Sequence, residues 1–297
     1  MNQDLRLKLK RKQNEFFSVP SQLLHLIRFL TKRYKPFFDC GVMITSIDVD
    51  VGSRLLGIRN KGNNDANIHD ILSEAKVGEI EEHILPLLLR FFEEMEIPVT
   101  FAIRGQLTEL NNTFLESLLH SSVKHDIAAH GYSHKVFSKM SEVEACREME
   151  MISKGFSRFG LQPRSFVFPR NRVAYLHVLE EFGYTSFREA GSLLNDGMYI
   201  KRTGRMYDIH PSFHLGSTFT PVFLNQIMDI SAKQRLPFHL WFHPRDLYET
   251  MSLEKSLRDV VFPIYSYAKK KADQDQLRFE TMKSTAALIQ AGKTNVQ

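Results

Sequence analysis

The stretch Val42-Met-Ile-Thr-Ser-Ile-Asp-Val-Asp50, released by Gly52, decides how this chain is read. Residues 42–47 are apolar and β-branched enough to form a buried strand, and the glycine opens a loop, so Asp48 and Asp50 fall at the strand's carboxyl end. Side chains alternate faces along a strand, so both carboxylates point the same way while Val49 faces the opposite layer. Parallel α/β proteins keep their chemistry at that end of the sheet.

Some eighty residues on, the run Asp126-Ile-Ala-Ala-His-Gly-Tyr-Ser-His134 holds two histidines four apart. If the stretch winds into a helical turn, both imidazoles reach one ion, and a carboxylate from the earlier strand completes a set with open positions, as hydrolytic metals require. Alone, such a pair is more often solvated or packed than metal-bound. Here residues 127–129 form a second short apolar run, which puts the histidines at a strand end as well. Gly131 excludes the His-Glu-x-x-His metalloprotease pattern. No Gly-x-Ser-x-Gly elbow, phosphate-binding loop or dinucleotide fingerprint occurs, and neither cysteine lies in a nucleophile motif. Trp241 reads as core.

From about residue 41 to residue 288 the chain resembles the polysaccharide deacetylases, the NodB-homology hydrolases of carbohydrate esterase family four. Ser46-Ile-Asp-Val-Asp50 is similar to the first motif, with the aspartates spaced rather than adjacent. His130-Gly-Tyr-Ser-His134 matches the second, and a helical pattern over 142–158 follows it. In the third, Ser165-Phe-Val-Phe-Pro-Arg-Asn-Arg172, Pro169 aligns but Val167 occupies the usual arginine position. Leu240-Trp-Phe-His243 resembles the fifth, one residue longer than usual, and Asp208-Ile-His-Pro211 is the nearest candidate for the fourth.

The resemblance implies that Asp50, His130 and His134 hold one divalent ion, most often zinc, that Asp48 is the general base, and that His243 protonates the leaving amine. Because Val167 removes the arginine that orients the base, Arg170 is expected to replace it, with Asp208 as a second orienting candidate. Arg104, Arg170 and Arg188 all follow strand-like runs, and are expected to rim the site and contact substrate, which would suit an acidic or phosphate-linked sugar.

Length and composition fit one catalytic domain: 297 residues at 43% hydrophobic content can bury a large core. Apolar runs at 42–47, 99–103, 126–129, 165–168, 185–187, 207–210 and 237–242 alternate with helical patterns at 80–94, 113–120, 143–159 and 174–182. The expected fold is therefore α/β, a distorted or incomplete (β/α) barrel of about seven parallel strands, as the resemblance also implies. The catalytic domain is placed at 41–290, between a basic helical extension at 1–40 and a flexible tail at 291–297. Residues 53–76 are glycine- and asparagine-rich and read as an excursion from the barrel rim, a substrate cover or a plain surface insertion, with His69 at the surface.

The extension sets Leu23, Ile27, Leu30 and Tyr34 at helical spacing among basic residues. Packing of that stripe on the barrel is preferred over peripheral contact with an anionic membrane. Two cysteines cannot make a disulfide framework, and no apolar leader segment or membrane-spanning run occurs, so a cytoplasmic enzyme is expected. A net charge of +5 without a recognisable motif argues against nucleic acid as partner. The expected activity is removal of an acetyl or formyl group from the nitrogen of an amino sugar in an intracellular glycan or glycolipid precursor. The alternatives are hydrolysis of a non-sugar amide on the same barrel, or a catalytically weak carbohydrate-binding protein; the oligomeric state is left open.

Overall fold

The computed structural model describes residue 27 and residues 35–51, 80–109, 113–189, 198–215, 220–248 and 251–292. Most of the basic extension, the 53–76 excursion with His69, and residues 293–297 lie outside the described residues. Among the described residues, no helix is long and apolar enough to cross a membrane.

The strands are β1 (Gly41–Val49), β2 (Thr100–Ile103), β3 (Asp126–Ala129), β4 (Ser165–Val167), β5 (Ser186–Arg188), β6 (Ile200–Thr203), β7 (Met206–Ile209), β8 (Phe213–His214), β9 (Pro237–Phe242) and β10 (Leu277–Glu280). The helices are α1 (Leu85–Glu94), α2 (Thr113–Leu119), α3 (Glu142–Ser157), α4 (Leu176–Glu181), α5 (Pro221–Gln234), α6 (Leu253–Ser256), α7 (Phe262–Ala272) and α8 (Met282–Gln290). All seven expected strands are present. The sequence patterns did not flag β6, β8 and β10, each of two to four residues.

Across the sheet the order is β6-β7-β5-β4-β3-β2-β1-β9-β8, parallel throughout except for the antiparallel β6–β7 pair. One edge of β1 is shared, with Gly41–Ile44 paired to β10 and Ser46–Val49 to β2. Only three residues, 210–212, separate β7 from β8, although these strands lie towards opposite ends of the order. So short a link spans at most about 14 Å, which forces the sheet to curl. His239 on β9 bridges the remaining gap: its Nδ1 donates to the Ile209 carbonyl at 2.9 Å, and its own carbonyl accepts from Ser212 N at 2.8 Å. The result is a distorted, incomplete (β/α) barrel.

Strand alternation sorts the core into two clusters. Met43, Ile47, Val49, Phe101, Ile103, Phe166, Phe187, Phe238, Leu240 and Phe242 face outward into the helix layer. Val42, Ile44, Ala102, Ala128 and Val167 face the lumen, where Met282, Ala286 and Ile289 of α8 pack against them. Higher along the same inner faces the residues turn polar: Ser46 and Asp48 on β1, Arg188 on β5, His239 and Trp241 on β9. Apolar floor and polar mouth thus follow from one two-residue period.

Helix α5 presses so closely on the foot of β1 that a Cβ on Gly41 would sit 2.8 Å from Ala232 Cα and 2.9 Å from Ala232 N. Both neighbours are backbone atoms and neither yields without displacing α5 or the strand. Gly41→Ala is therefore expected to destabilise the fold by roughly 1–3 kcal/mol, read as a lowered urea midpoint at unchanged m-value; an unchanged midpoint would mean that α5 moves freely.

Candidate active site

Asp48 and Asp50 stand at the top of β1, 2% and 3% exposed. Carboxylates this buried stay ionised only if nearby positive charge outweighs desolvation. For Asp48 the compensation is a fork: Arg188 Nη1 donates to Oδ1 at 2.8 Å and Nη2 to Oδ2 at 2.5 Å. Burial alone would raise the Asp48 pKa, yet Arg188, His130 and His243 hold it below the usual carboxylate range.

Arg188 is itself fully buried and held on several sides. Nη1 also donates to Ser46 Oγ at 2.8 Å, Nη2 to Asn171 Oδ1 at 3.2 Å, and the guanidinium lies 4.4 Å from the Trp241 ring centre. Proton positions in the chain behind it follow from chemistry. Arginine only donates and a carbonyl only accepts, so Ser46 Oγ–H gives its proton to His239 Nε2 at 2.8 Å while His239 Nδ1–H points to Ile209 O.

This arrangement corrects three expectations. The arginine that orients Asp48 is Arg188, reaching across the lumen from β5; Arg170 is exposed at φ 57°, and its neighbour Asn171, also left-handed at φ 52°, is the residue that turns inward. Arg104 and Arg188 are both fully buried and do not rim the mouth; Arg104 donates to the Val51 carbonyl at 3.2 Å and pairs with Gln106. Asp208 lies on the face of β7 opposite the lumen residues Tyr207 and Ile209, where it accepts from Glu189 N at 3.2 Å and pairs with His210 at 3.3 Å, so it does not meet Asp48.

Asp50, His130 and His134 do converge, with one ligand atom from each inside a common 4.8 Å. The histidine run is no helix, contrary to the expected helical turn. It leaves β3 through Gly131 at φ 68°, and His134 is left-handed at φ 60°, which brings the imidazole centres to 4.9 Å. His130 Nδ1 donates to the Val167 carbonyl at 2.8 Å, so Nε2 faces the site, where it is buried without a hydrogen-bond partner. Burial keeps both rings neutral: the His130 pKa is lowered, and that of His134 falls to about 3, with His130 adding to the effect. Asp50 Oδ1 is taken by Arg245 Nη1 at 2.5 Å, while Oδ2 faces His134 Nε2 at 3.7 Å. Two neutral imidazole nitrogens, one of them an orphan, and a carboxylate oxygen converging on them fit a divalent ion.

His243 closes the opposite side. Its Nε2 lies 3.9 Å from Oδ2 of both Asp48 and Asp50, and its Nδ1 and backbone N–H both donate to Asp246 Oδ2, at 2.9 and 2.7 Å. Burial disfavours the imidazolium, but Asp246 and the two site carboxylates outweigh it and the His243 pKa is raised. His214 Nε2 reaches the same Asp246 oxygen at 2.8 Å, and its ring lies 4.2 Å from Trp241. Asp246, His214, Arg245, Asn171 and the site-facing Trp241 were not picked out from sequence. Two signals were present: the aromatic alternation 239, 241, 243, and an acid three residues after His243 followed by proline, the pattern of a capping box.

No protein-family model matches this sequence, and no curated protein does. Solved structures do match. A candidate polysaccharide deacetylase from Mycobacterium smegmatis is 16% identical over 90% of this chain and 98% of that one, with a TM-score of 0.68. The fold is that of the NodB-homology polysaccharide deacetylases. Puue allantoinase matches at 14% identity over 83% of this chain and 89% of that one, TM-score 0.59. A family-four carbohydrate esterase pseudoenzyme from Bacillus anthracis matches at 12% identity over 84% of this chain and 66% of that one, TM-score 0.50. The deacetylase fold thus hosts sites of different competence, and the residues in hand must carry the chemical argument.

Two outcomes follow from the geometry. Arg188→Met should cost roughly 3–5 kcal/mol by stranding a buried carboxylate, and adding Asp48→Asn should recover part of that loss in urea titrations; simple additivity would mean the fork contributes no coupling. Separately, the folded chain binds protons on His134 and His239 only near pH 3, whereas the unfolded chain binds them near 6.5. Stability of the metal-free protein is therefore expected to fall as pH drops below about 6.5, seen as a declining Tm between pH 7 and pH 4; a flat Tm would contradict the neutral assignments.

Proposed function

We propose that the chain is a metal-dependent amidohydrolase that removes an acetyl or formyl group from the nitrogen of an amino sugar in a glycan or glycolipid precursor. One observation carries this reading: a buried, proton-accepting carboxylate and an imidazole with a raised pKa face each other beside a three-residue donor set that fits a metal. Hydrolysis of an amide needs a base for water and an acid for the poor leaving nitrogen, and the two stand at the ends of the adjacent strands β1 and β9, 3.9 Å apart.

A divalent ion, zinc in this reading, held by Asp50, His130 and His134 would polarise the acyl carbonyl and make water more acidic. Asp48, kept ionised and oriented by Arg188, takes a proton from the attacking water as the oxygen–carbon bond forms. His243, with Nδ1–H fixed on Asp246, presents Nε2 to the substrate side and gives its proton to the amide nitrogen as the carbon–nitrogen bond breaks. The products are the free carboxylic acid and the amine. Asp246, itself held by His214, orients the acid. Two free thiols suit a reducing compartment, which favours an intracellular precursor.

A second reading, hydrolysis of a non-sugar or cyclic amide, is favoured by the allantoinase likeness, since ring opening of a cyclic amide uses the same base and acid. A catalytically weak carbohydrate binder is the third. Assay of N-acetylated and N-formylated sugars together with cyclic amides separates them: released acetate or formate supports the first, ring opening the second, and binding without turnover the third.

Purified protein is expected to bind about one divalent ion per chain, measured by elemental analysis. Asp48→Asn should keep the ion and lower kcat by roughly 10²–10⁴-fold, and His243→Ala should do the same. Asp50→Asn should lose metal affinity. The roles of the two aspartates are reversed if Asp48→Asn loses the ion and Asp50→Asn retains it.

A further inference from the structure

The two histidine ligands are spaced as on a helix but do not stand on one, so something other than helix geometry must set their separation. His130 is anchored directly, its N–H on the Ile103 carbonyl at 2.9 Å and its Nδ1 on the Val167 carbonyl. His134 takes its place from the turn Gly131-Tyr132-Ser133. One edge of that turn is held by backbone donors: Gly105 N reaches Gly131 O at 2.8 Å and Gln106 N reaches Tyr132 O at 3.1 Å. The other edge is held by a side chain from a different element. Glu148, on α3 and only 4% exposed, accepts Tyr132 N–H and Ser133 N–H on Oε2, each at 3.0 Å, and Ser133 Oγ–H on Oε1 at 2.5 Å.

We propose that Glu148 is a positioning residue that fixes the His130–His134 turn in its ligand-ready shape; the inference rests on the metal reading above. A polar turn left to water would need no carboxylate, and withdrawing a charge from water into a helix–loop contact is costly unless several donors meet it. Here three donors from two successive residues meet it, and all belong to the link between the histidines. The turn also needs outside support, because it contains Gly131 at φ 68°, where a Cβ would strike Pro169 at 2.9 Å, and His134 in the left-handed region, which non-glycine residues seldom adopt. Glu148 fixes the conformation from below while the ligand nitrogens remain turned to the site. Partners of this kind, one shell removed from an ion, typically change metal affinity by about 10–100-fold when removed.

The test is zinc affinity of the full chain by competition with a chromophoric chelator, together with the visible spectrum of the cobalt(II)-loaded protein and the Tm of the metal-free protein. Glu148→Ala is expected to weaken zinc binding by roughly 10–100-fold and to alter the cobalt spectrum, with Glu148→Gln, which keeps an acceptor oxygen, lying between it and the parent. Glu144→Ala is the control: it removes the Ser141 capping box at the start of the same helix, and should lower Tm while leaving affinity unchanged. Should Glu148→Ala fail to fold, Glu148→Gln decides. Glu148 variants that bind zinc within twofold of the parent, or a Glu144→Ala loss as large as theirs, overturn the positioning role and leave the metal reading intact. A parent that binds no zinc, or binds it equally well without Asp50, His130 and His134, overturns both.

Discussion

Two carboxylates two residues apart at the top of one strand, both nearly withdrawn from water, impose the constraint around which the upper half of this barrel is built. Each needs a cation, and the two cations cannot come from the same side without crowding one another. Arg188 arrives across the lumen from β5 and takes both oxygens of Asp48; Arg245 arrives from beyond β9 and takes one oxygen of Asp50. Supporting Arg188 then recruits Ser46, Asn171, Trp241 and, through Ser46, His239. His239 in turn bridges the gap between β7 and β8. The charge compensation of one aspartate and the closure of the sheet thus share a side chain.

The unequal treatment of the two acids bears on the division of labour we propose for them. Asp48 has both oxygens engaged by one guanidinium, which fixes its plane and leaves its outer lone pairs toward His243. Asp50 keeps Oδ2 turned to His134, as a monodentate ligand would need, while Arg245 prevents the carboxylate from rotating. Sequence order alone could not distinguish them. What separates them is the geometry of their arginines, and each arginine stands 140 or more residues away in the chain.

Features governed by a local period were legible in the sequence, and features governed by curvature were not. The seven expected strands, the shared face of Asp48 and Asp50, and the strand-end position of His130 all follow from patterns within a few residues. β8 has only two residues, too few for a period to register. Motif position points to Arg170 rather than Arg188 as the partner of Asp48, but which strand end faces β1 across the lumen depends on how tightly the sheet curls. Asp208 departs from expectation for a simpler reason: it shares the outer face of β7 with Met206, while Tyr207 and Ile209 take the lumen face. Trp241 follows the same rule, sharing a face with His239 and His243 rather than with Phe238, Leu240 and Phe242.

The recurrence of arginines at strand ends, first a reason to expect an acidic substrate, has a different physical cause once their partners are known. Arg104 lies fully buried beside the end of β1, where Asp50 and Glu148 act on it, and burial brings its pKa down to about 10. Both terminal nitrogens of Arg188 are engaged by Asp48, Ser46 and Asn171. Acids withdrawn from water call for cations withdrawn with them, and guanidinium serves because it keeps its charge and offers several donors in a plane. Of the three expected rim arginines, Arg170 alone is exposed. The case for an anionic sugar therefore no longer rests on the arginines beneath the site. Trp241 belongs to the same internal compensation: the Arg188 guanidinium lies 4.4 Å from its ring centre and the His214 ring 4.2 Å from it, so the half-buried indole is a support for the buried cation and the acid-orienting imidazole.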